Sequence, residues 1–385
     1  MPATPFSKLA SLCRELEATT KRKEKTRLLS EFLRGLEPDE VAPAVLLVVG
    51  SVFPEFDPRT LEVGWRTMKG VLEGGRQTTL LSEPLTIRSV HRTLERIAEA
   101  SGSSSRRVKS GLLEGLISRA DPAEVEVLVR IVFGEMRIGV NEGMMLEGIA
   151  EAAGVDAGLV RRALMVTGDL GEVARTAIEA GEDGLKGIRM RMFVSLKPML
   201  ASMSYDIGEV IREHGGVTAL EYKFDGARIQ IHRDGEQIRV FSRRLTDVTD
   251  SLPDVVELIG REIASGRVIL EGEAVAIGEG GRPLPFQDLM RRFTRVHDVR
   301  AMAEKIPLRL HLFDVLYLDG RLLIDEPYGE RWRLLEGVCP KGLLAERIVT
   351  GDEAEAEAFL MRAMEEGHEG LMAKRLDGRY TPGVR

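Results

Sequence analysis

Cysteine is scarce in this sequence, and two other features that would narrow the class of protein are missing. The chain contains only Cys13 and Cys339, too few for a disulfide framework or a four-cysteine zinc site. No apolar run reaches the length that a membrane-spanning helix needs. The first residues lack the charged head and apolar stretch of a secretory signal. We therefore expect an intracellular protein without a disulfide scaffold.

An excess of positive charge is also missing. The formal net charge is -7, so overall electrostatics does not indicate a nucleic-acid binder. The first 200 residues are close to neutral, and the acidic excess lies in the second half. Any polyanion must therefore be bound by local basic patches. The 385 residues and the 43% hydrophobic content predict two or three domains with packed cores.

The first half of the chain has helical periodicity. Residues 9–36, 123–134 and 142–153 carry apolar residues at helical spacing, and glycines separate the segments. Pro198 favours an extended chain in the segment around residues 193–200. The pattern predicts an all-α domain over residues 1–192.

The second half has strand and turn signals. Residues 220–242 predict two hairpins, which turn at Asp225-Gly226 and Asp234-Gly235. Further strands are predicted at residues 268–277 and 308–317, and helices at 253–265, 287–292 and 353–366. This mixture predicts an α+β domain with antiparallel sheets over residues 193–385.

The most informative stretch is Glu-Tyr-Lys-Phe-Asp-Gly-Ala-Arg, residues 221–228. In a strand, alternate side chains share a face, so Glu221 and Lys223 point one way and Tyr222 and Phe224 the other. Arg228 follows on the next predicted strand. A lysine at a strand end, with a carboxylate beside it and an arginine after the turn, suits phosphate chemistry.

Four further elements follow in the same domain. They are Phe-Ser-Arg-Arg around Arg243, Glu-Gly-Glu at Glu271 and Glu273, Leu-Phe-Asp around Phe313, and Glu-Gly-Leu-Met-Ala-Lys from Glu369 to Lys374, which precedes Tyr-Thr-Pro-Gly-Val-Arg ending at Arg385. The two carboxylates of Glu-Gly-Glu should lie on one face, roughly 7 Å apart. Each element alone is typical of an ordinary surface or core position, whereas their order and spacing are specific together.

Together the five elements resemble the nucleotidyltransferase motifs of the ATP-dependent DNA ligases, in the order that family uses. Lys-Phe-Asp-Gly-Ala-Arg matches the family's Lys-x-Asp-Gly-x-Arg. Residues 82–87, 136–140 and 197–201 also resemble family segments. The resemblance is to the archaeal and eukaryotic replicative type and begins at about residue 5. It implies an all-α DNA-binding domain followed by an α+β adenylation domain.

The resemblance also implies a three-step reaction that uses ATP and Mg²⁺. Lys223 attacks the α-phosphate of ATP, which leaves a lysyl-adenylate and pyrophosphate. The adenylate moves to the 5′-phosphate at a nick in duplex DNA, and the 3′-hydroxyl then attacks that phosphate and releases AMP. Such sealing serves DNA replication, repair and recombination.

Each matching position has an implied role. Glu221 accepts a hydrogen bond from the adenine amino group, and Phe313 stacks on the purine. The remaining nucleotide contacts are Arg228 and Arg243 at ribose and phosphate oxygens, Glu273 at ribose or metal, Glu369 at the metal, Lys374 at the α-phosphate, and Arg385 in the closing segment. For Asp225 two roles remain open, a part in the turn geometry and a contact with the metal.

The implied partners are nicked duplex DNA and a sliding clamp. Residues 103–109 are a candidate phosphate-binding patch, with a solvated loop as the alternative. Residues 77–81, Gln-Thr-Thr-Leu-Leu from Gln77 to Leu81, occupy the place of a clamp-binding motif, although such motifs normally end in aromatic residues. We expect a cytoplasmic, nucleoid-associated monomer.

The resemblance stops at Arg385, where family members continue into Trp-Leu-Lys-x-Lys and an oligonucleotide-binding (OB-fold) barrel. We therefore expect a truncated form with weak self-adenylation. A non-catalytic DNA-binding fragment, an RNA ligase and an mRNA capping enzyme are the alternatives. An NAD-dependent ligase would need a nicotinamide-binding domain and a cysteine zinc site. A capping enzyme would use GTP, which the acceptor at Glu221 disfavours.

Overall fold

The computed structural model describes residues 3–74, 83–293 and 297–381. The chain separates into two compact units, Met1–Arg191 and Met192–Arg385, which we call the helical unit and the mixed unit. Among the described residues, no helix is long and apolar enough to span a membrane.

The described part of the helical unit contains α-helices and no regular strand. The helices are α1 (Phe6–Ala18), α2 (Arg22–Arg34), α3 (Pro38–Val48), α4 (Trp65–Glu73), α5 (Ile87–Glu99), α6 (Ser105–Ile117), α7 (Pro122–Phe133), α8 (Glu142–Ala153), α9 (Ala157–Thr167) and α10 (Leu170–Gly187).

The sequence marks the start of several of these helices with a side-chain cap. The side chains of Thr86, Asp121, Asn141, Asp156 and Asp169 each accept a hydrogen bond from a backbone N–H of the first helical turn. Such caps satisfy amide groups that have no partner inside the helix. The apolar faces of the ten helices form one core cluster, so the helical periodicity of this half is confirmed.

Buried charges in the helical unit bind backbone groups. Glu40 accepts hydrogen bonds from the backbone and hydroxyl of Thr4, and the Lys25 ammonium donates to the carbonyl of Ile138 at 2.6 Å. The Lys109 ammonium donates to the carbonyl of Leu61 at 3.0 Å. Lys109 is buried, so its predicted place in a surface patch at residues 103–109 is wrong.

The mixed unit contains six helices and eight strands in its described part. The helices are α11 (Ile207–Glu213), α12 (Pro253–Glu262), α13 (Phe286–Phe293), α14 (Val299–Lys305), α15 (Tyr328–Val338) and α16 (Glu353–Glu365). The strands are β1 (Thr218–Tyr222), β2 (Ala227–Asp234), β3 (Gln237–Ser242), β4 (Arg267–Ala276), β5 (Leu308–Leu318), β6 (Arg321–Leu322), β7 (Arg347–Thr350) and β8 (Leu371–Lys374).

The strands form two antiparallel sheets, which confirms the predicted α+β class. The small sheet has the order β7-β1-β8 and the large sheet the order β3-β2-β4-β5-β6. Strand β1 is buried along its whole length. Its Leu220 and Tyr222 pack against α11 and α16, whereas Ala219 belongs to the core that the large sheet shares with α12 and α15.

One of the two predicted hairpins is confirmed and the other is wrong. Strands β2 and β3 pair around Asp234-Gly235, with Asp234 opposite Gln237. Strand β1 instead pairs with β7 and β8, so the chain crosses from one sheet to the other at Asp225-Gly226. Gly226 does not have the positive φ of a hairpin turn. A Cβ atom there would lie 2.6 Å from the carbonyl oxygen of Ala274, so this glycine permits close approach to β4.

Candidate active site

Lys223 lies directly after β1 and is fixed through its backbone. Its N–H donates to the carbonyl of Gly370 at 2.9 Å, and its carbonyl accepts from the N–H of Glu369 at 3.0 Å. These bonds extend the pairing of β1 with β8. The side chain is 48% exposed, and its ammonium forms an ion pair with the Glu369 carboxylate. The lysine is therefore held at its base and reachable at its tip.

Glu221 precedes the lysine on the same strand but is buried. It is 2% exposed. Its Oε1 accepts a hydrogen bond from the Tyr328 hydroxyl, and its Oε2 lies 2.6 Å from the Lys374 ammonium. A buried carboxylate needs hydrogen bonds as well as an ion pair to offset its loss of water, and Tyr328 supplies one.

Phe313, on the large sheet, lies near Lys374 and Arg228. The Lys374 ammonium, on the small sheet, lies 4.5 Å from the centre of the Phe313 ring. The Arg228 guanidinium carbon lies 5.4 Å from the same ring. The half-buried ring thus has cations near it, an arrangement that cation–π attraction stabilises.

Arg228 is bound by a carboxylate that the sequence analysis did not select. Its Nη2 lies 2.6 Å from Glu271 Oε2 and 3.3 Å from the Tyr380 hydroxyl, and its Nη1 donates to the carbonyl of Met199 at 2.9 Å. Gln230 also donates to Glu271. Burial of Glu271, at 1% exposed, makes it a structural anchor for Arg228.

Glu273 lies opposite Arg228 in the pairing of β2 with β4. Burial raises the pKa of Glu273 to about 8, and Arg228, Arg243 and Lys223 oppose that rise. The elevated pKa shows that the charged form lacks full compensation in this arrangement. Arg243 follows β3 and is exposed, so it is free to turn toward an anion.

Metal binding was predicted at Glu273 and Glu369. Within the described residues, no group of three or more His, Cys, Asp or Glu side chains could hold a metal ion. Glu369 pairs with the Lys223 ammonium, and Glu273 lies opposite Arg228 in the large sheet. Mg²⁺ commonly takes one or two protein carboxylates together with phosphate oxygens and water. The two residues therefore suit a metal that arrives with a phosphate ligand.

The structure therefore brings together most of the predicted site residues. Around the end of β1 it gathers Glu221, Lys223, Arg228, Glu273, Phe313, Glu369 and Lys374. Arg385 and the segment from Gln77 to Leu81 lie outside the described residues.

Sequence analysis missed three residues that hold this site. Glu271 belongs to the Glu-Gly-Glu element, and its position on the same strand face as Glu273 was the signal that could have indicated a role at the site. Arg331 binds Asp314 through two hydrogen bonds of 2.8 and 3.0 Å, beside Phe313. Neither Arg331 nor Tyr328 belongs to a motif near the lysine in sequence, so no local pattern points to them.

Two family models match this chain. The family model described as ATP dependent DNA ligase domain matches residues 198–385. The family model described as DNA ligase N terminus matches residues 5–74 and 66–150. The DNA ligase of Thermococcus onnurineus (strain NA1) is 43% identical over 413 residues, covering 99% of this chain and 73% of that relative. The DNA ligase of Methanopyrus kandleri is 41% identical over 415 residues, covering 99% of this chain and 74% of that relative.

A solved structure called Pmar-Lig_Pre shares the fold. It is 16% identical, has a TM-score of 0.56, and the match covers 98% of this chain and 76% of that one. With the family models and the relatives, the resemblance predicted from the motifs is confirmed. The chain belongs to the ATP-dependent DNA ligases, the nucleotidyltransferases that use ATP to seal nicks in DNA.

Proposed function

We propose that residues 193–385, which lie in the mixed unit, are the adenylation domain and that Lys223 is its nucleophile. The Lys223 nitrogen forms a bond to the α-phosphorus of ATP, the bond to the oxygen that bridges to the β-phosphate breaks, and pyrophosphate leaves. The amine gives up its proton in this step, since only the neutral amine is nucleophilic. The observation that carries the proposal is the fixed backbone and exposed ammonium of Lys223 beside Glu369.

The nucleotide would be held by the side chains that surround Lys223. Glu221 would accept from the adenine amino group and Phe313 would stack on the base, a contact of about 1–3 kcal/mol by analogy with single-stranded nucleic acid. The phosphates and ribose would be contacted by Arg228, Arg243, Glu273, Lys374 and Arg385. Triphosphate oxygens would replace the Glu369 carboxylate that now pairs with Lys223. The Lys374 ammonium has three donors, so it would contact the α-phosphate while it stays paired with Glu221.

Mg²⁺ would bind through Glu273 and Glu369 together with the phosphates. Its role would be to neutralise charge on the transferring phosphoryl group. The carboxylate oxygens suit this hard cation, and those of Glu369 lie at the Lys223 ammonium.

The predicted all-α domain, residues 1–192, would bind nicked duplex DNA mainly through phosphates. Arg106 and Arg107 at the start of α6 are exposed, and backbone amides at a helix start favour anions. Such contacts are independent of base sequence and weaken with salt. The lysyl-adenylate would then pass AMP to the 5′-phosphate at the nick. A clamp contact through residues 77–81 and a monomeric state complete the proposal.

Mass spectrometry of the chain after incubation with ATP and Mg²⁺ tests the nucleophile. We expect a gain of one AMP, located on Lys223, and no gain for Lys223→Ala. Lys341→Ala is the matched control, because Lys341 is an exposed lysine of the same unit in a short turn before β7. An adduct that persists in Lys223→Ala contradicts the assignment.

DNA binding is tested separately, by fluorescence anisotropy with a nicked duplex at several salt concentrations. Arg106→Ala with Arg107→Ala should weaken binding and reduce the salt dependence, whereas Lys109→Ala should act through the stability of the helical unit. Unchanged binding of the double variant would remove α6 from the interface.

A further inference from the structure

The carboxylate of Glu221 is held by a residue outside the nucleotide-binding motifs. Its Oε1 accepts from the hydroxyl of Tyr328, the first residue of α15. Its Oε2 pairs with Lys374 at 2.6 Å, across the small sheet. Both oxygens therefore have partners from different elements, and the orientation of the carboxylate plane is defined.

Tyr328 is itself tightly fixed. It is 2% exposed, and its N–H donates to the carbonyl of Gly378 at 2.8 Å. The Arg347 guanidinium carbon lies 5.4 Å and the Lys374 ammonium 4.9 Å from the centre of its ring. The ring has little freedom in this packing, so the position of its hydroxyl is fixed.

The Tyr328 hydroxyl donates its hydrogen bond to Glu221. Burial and the neighbouring Glu221 carboxylate raise the pKa of Tyr328 far above its ordinary value. The hydroxyl therefore stays protonated and donates to Glu221. An ionised carboxylate has about four lone-pair sites and no proton of its own, so its remaining sites act as acceptors only.

We propose that Tyr328 is a positioning residue for base selection, which holds Glu221 as a fixed acceptor toward position 6 of a bound purine. A 6-amino purine offers two N–H donors to this acceptor. A 6-oxo purine offers a carbonyl, and two acceptors facing each other without a shared proton are unfavourable. This inference rests on the proposed function, in which Glu221 contacts the base.

Replacement of the hydroxyl tests the proposal. ATP and inosine triphosphate present an amino group and a carbonyl, respectively, at purine position 6, and their binding to the full chain can be compared by calorimetry. We expect Tyr328→Phe to lower the ATP-to-ITP affinity ratio by about tenfold. If the chain forms the AMP adduct, the KM for ATP should rise while its maximum rate stays within about twofold.

Two comparisons separate orientation from general damage. Tyr317→Phe removes a hydroxyl from another buried tyrosine of the same unit and should leave the ratio unchanged. Glu221→Gln keeps the Tyr328 hydroxyl but removes the charge that it holds, so it should lower the ratio at least as much. Adding Tyr328→Phe to Glu221→Gln should then lower the ratio no further, because both changes act on one interaction.

The outcomes are distinct. An unchanged ratio in Tyr328→Phe, or a full additional loss in the double variant, overturns the inference while the proposed function stands. If Tyr328→Phe fails to fold, Glu221→Gln still tests the inference. A preference for ATP over ITP that survives Glu221→Gln overturns it. Absence of ATP binding by the wild-type chain overturns the proposed function and the inference with it.

Discussion

The two units differ in the partners of their buried cations. In the helical unit, Lys25 donates to a backbone carbonyl, and Lys109 donates to another while it pairs with the exposed Glu62. In the mixed unit, Arg228 also donates to a backbone carbonyl, but it pairs with the buried carboxylate of Glu271. Breaking a buried pair leaves an uncompensated charge, so we expect a single substitution at this pair to cost more stability than one at the surface pairs of the helical unit.

The units also differ in their titratable groups. Five of the six histidines lie after residue 192. Burial lowers the pKa of His232 and of His311 to about 3. Each unit has one tryptophan, Trp65 and Trp332, so Trp65→Phe and Trp332→Phe backgrounds report the two units separately by fluorescence.

The largest effect is expected from Glu271→Ala. The change leaves the Arg228 guanidinium without its buried partner, which costs about 3–5 kcal/mol in comparable sites. Urea unfolding in the Trp65→Phe background, followed through Trp332, should show this loss in the mixed unit. The Trp65 signal in the Trp332→Phe background should not move. Equal loss in both signals would mean that the two units unfold as one.

Acid should destabilise the mixed unit next. In the unfolded chain His232 and His311 take up protons near pH 6.5, whereas in the folded chain they do so only near pH 3. Their contribution is therefore complete above pH 6.5 and is lost as the pH falls toward 3, by on the order of 2–4 kcal/mol for each residue.

His311→Phe sharpens this acid prediction. His311 stacks on Phe224 with ring centres 4.0 Å apart, and a phenylalanine keeps that contact while removing the titration. Urea unfolding between pH 7 and pH 4 should show a smaller acid loss for this variant. A pH dependence equal to that of the wild-type chain would exclude His311 as a source.

Gly226→Ala should have an intermediate effect. The new Cβ would meet the carbonyl of Ala274 at 2.6 Å, and forced displacement of a packed segment costs about 1–3 kcal/mol. Because Gly226 follows Lys223 by three residues, AMP adduct formation should slow as well. Gly266→Ala is the control, since a Cβ there meets nothing within 4 Å. Equal behaviour of the two variants would contradict the close-approach explanation.

The smallest effect is expected from Arg22→Ala in the helical unit. Arg22 pairs with Glu147 at 2.5 Å, but its side chain is 61% exposed, and exposed pairs contribute little to stability. Unfolding followed through Trp65 should be unchanged within error. A clear loss would show that surface pairs matter in this unit as buried pairs do in the other.

Part of the site was predictable because its signals are local. The alternation at 221–224 gave the opposite faces of Glu221 and Tyr222, and the structure has Glu221 at Lys374 and Tyr222 among α11 and α16. The turn at Asp234-Gly235 also followed from adjacent residues. The turn at Asp225-Gly226 failed because the same dipeptide serves a crossing between sheets, and nothing within a few residues distinguishes the two uses.

The amino-acid sequence by itself determined the helical and α+β halves, the family, and the strand that ends just before Lys223, because periodicity and motif order are properties of neighbouring residues. Tertiary structure alone decided that Lys109 is buried, that Glu271 anchors Arg228, and that Tyr328 holds Glu221 across 107 positions of chain. These contacts join residues far apart in sequence, and their partners are chosen by the packing of two sheets against their helices.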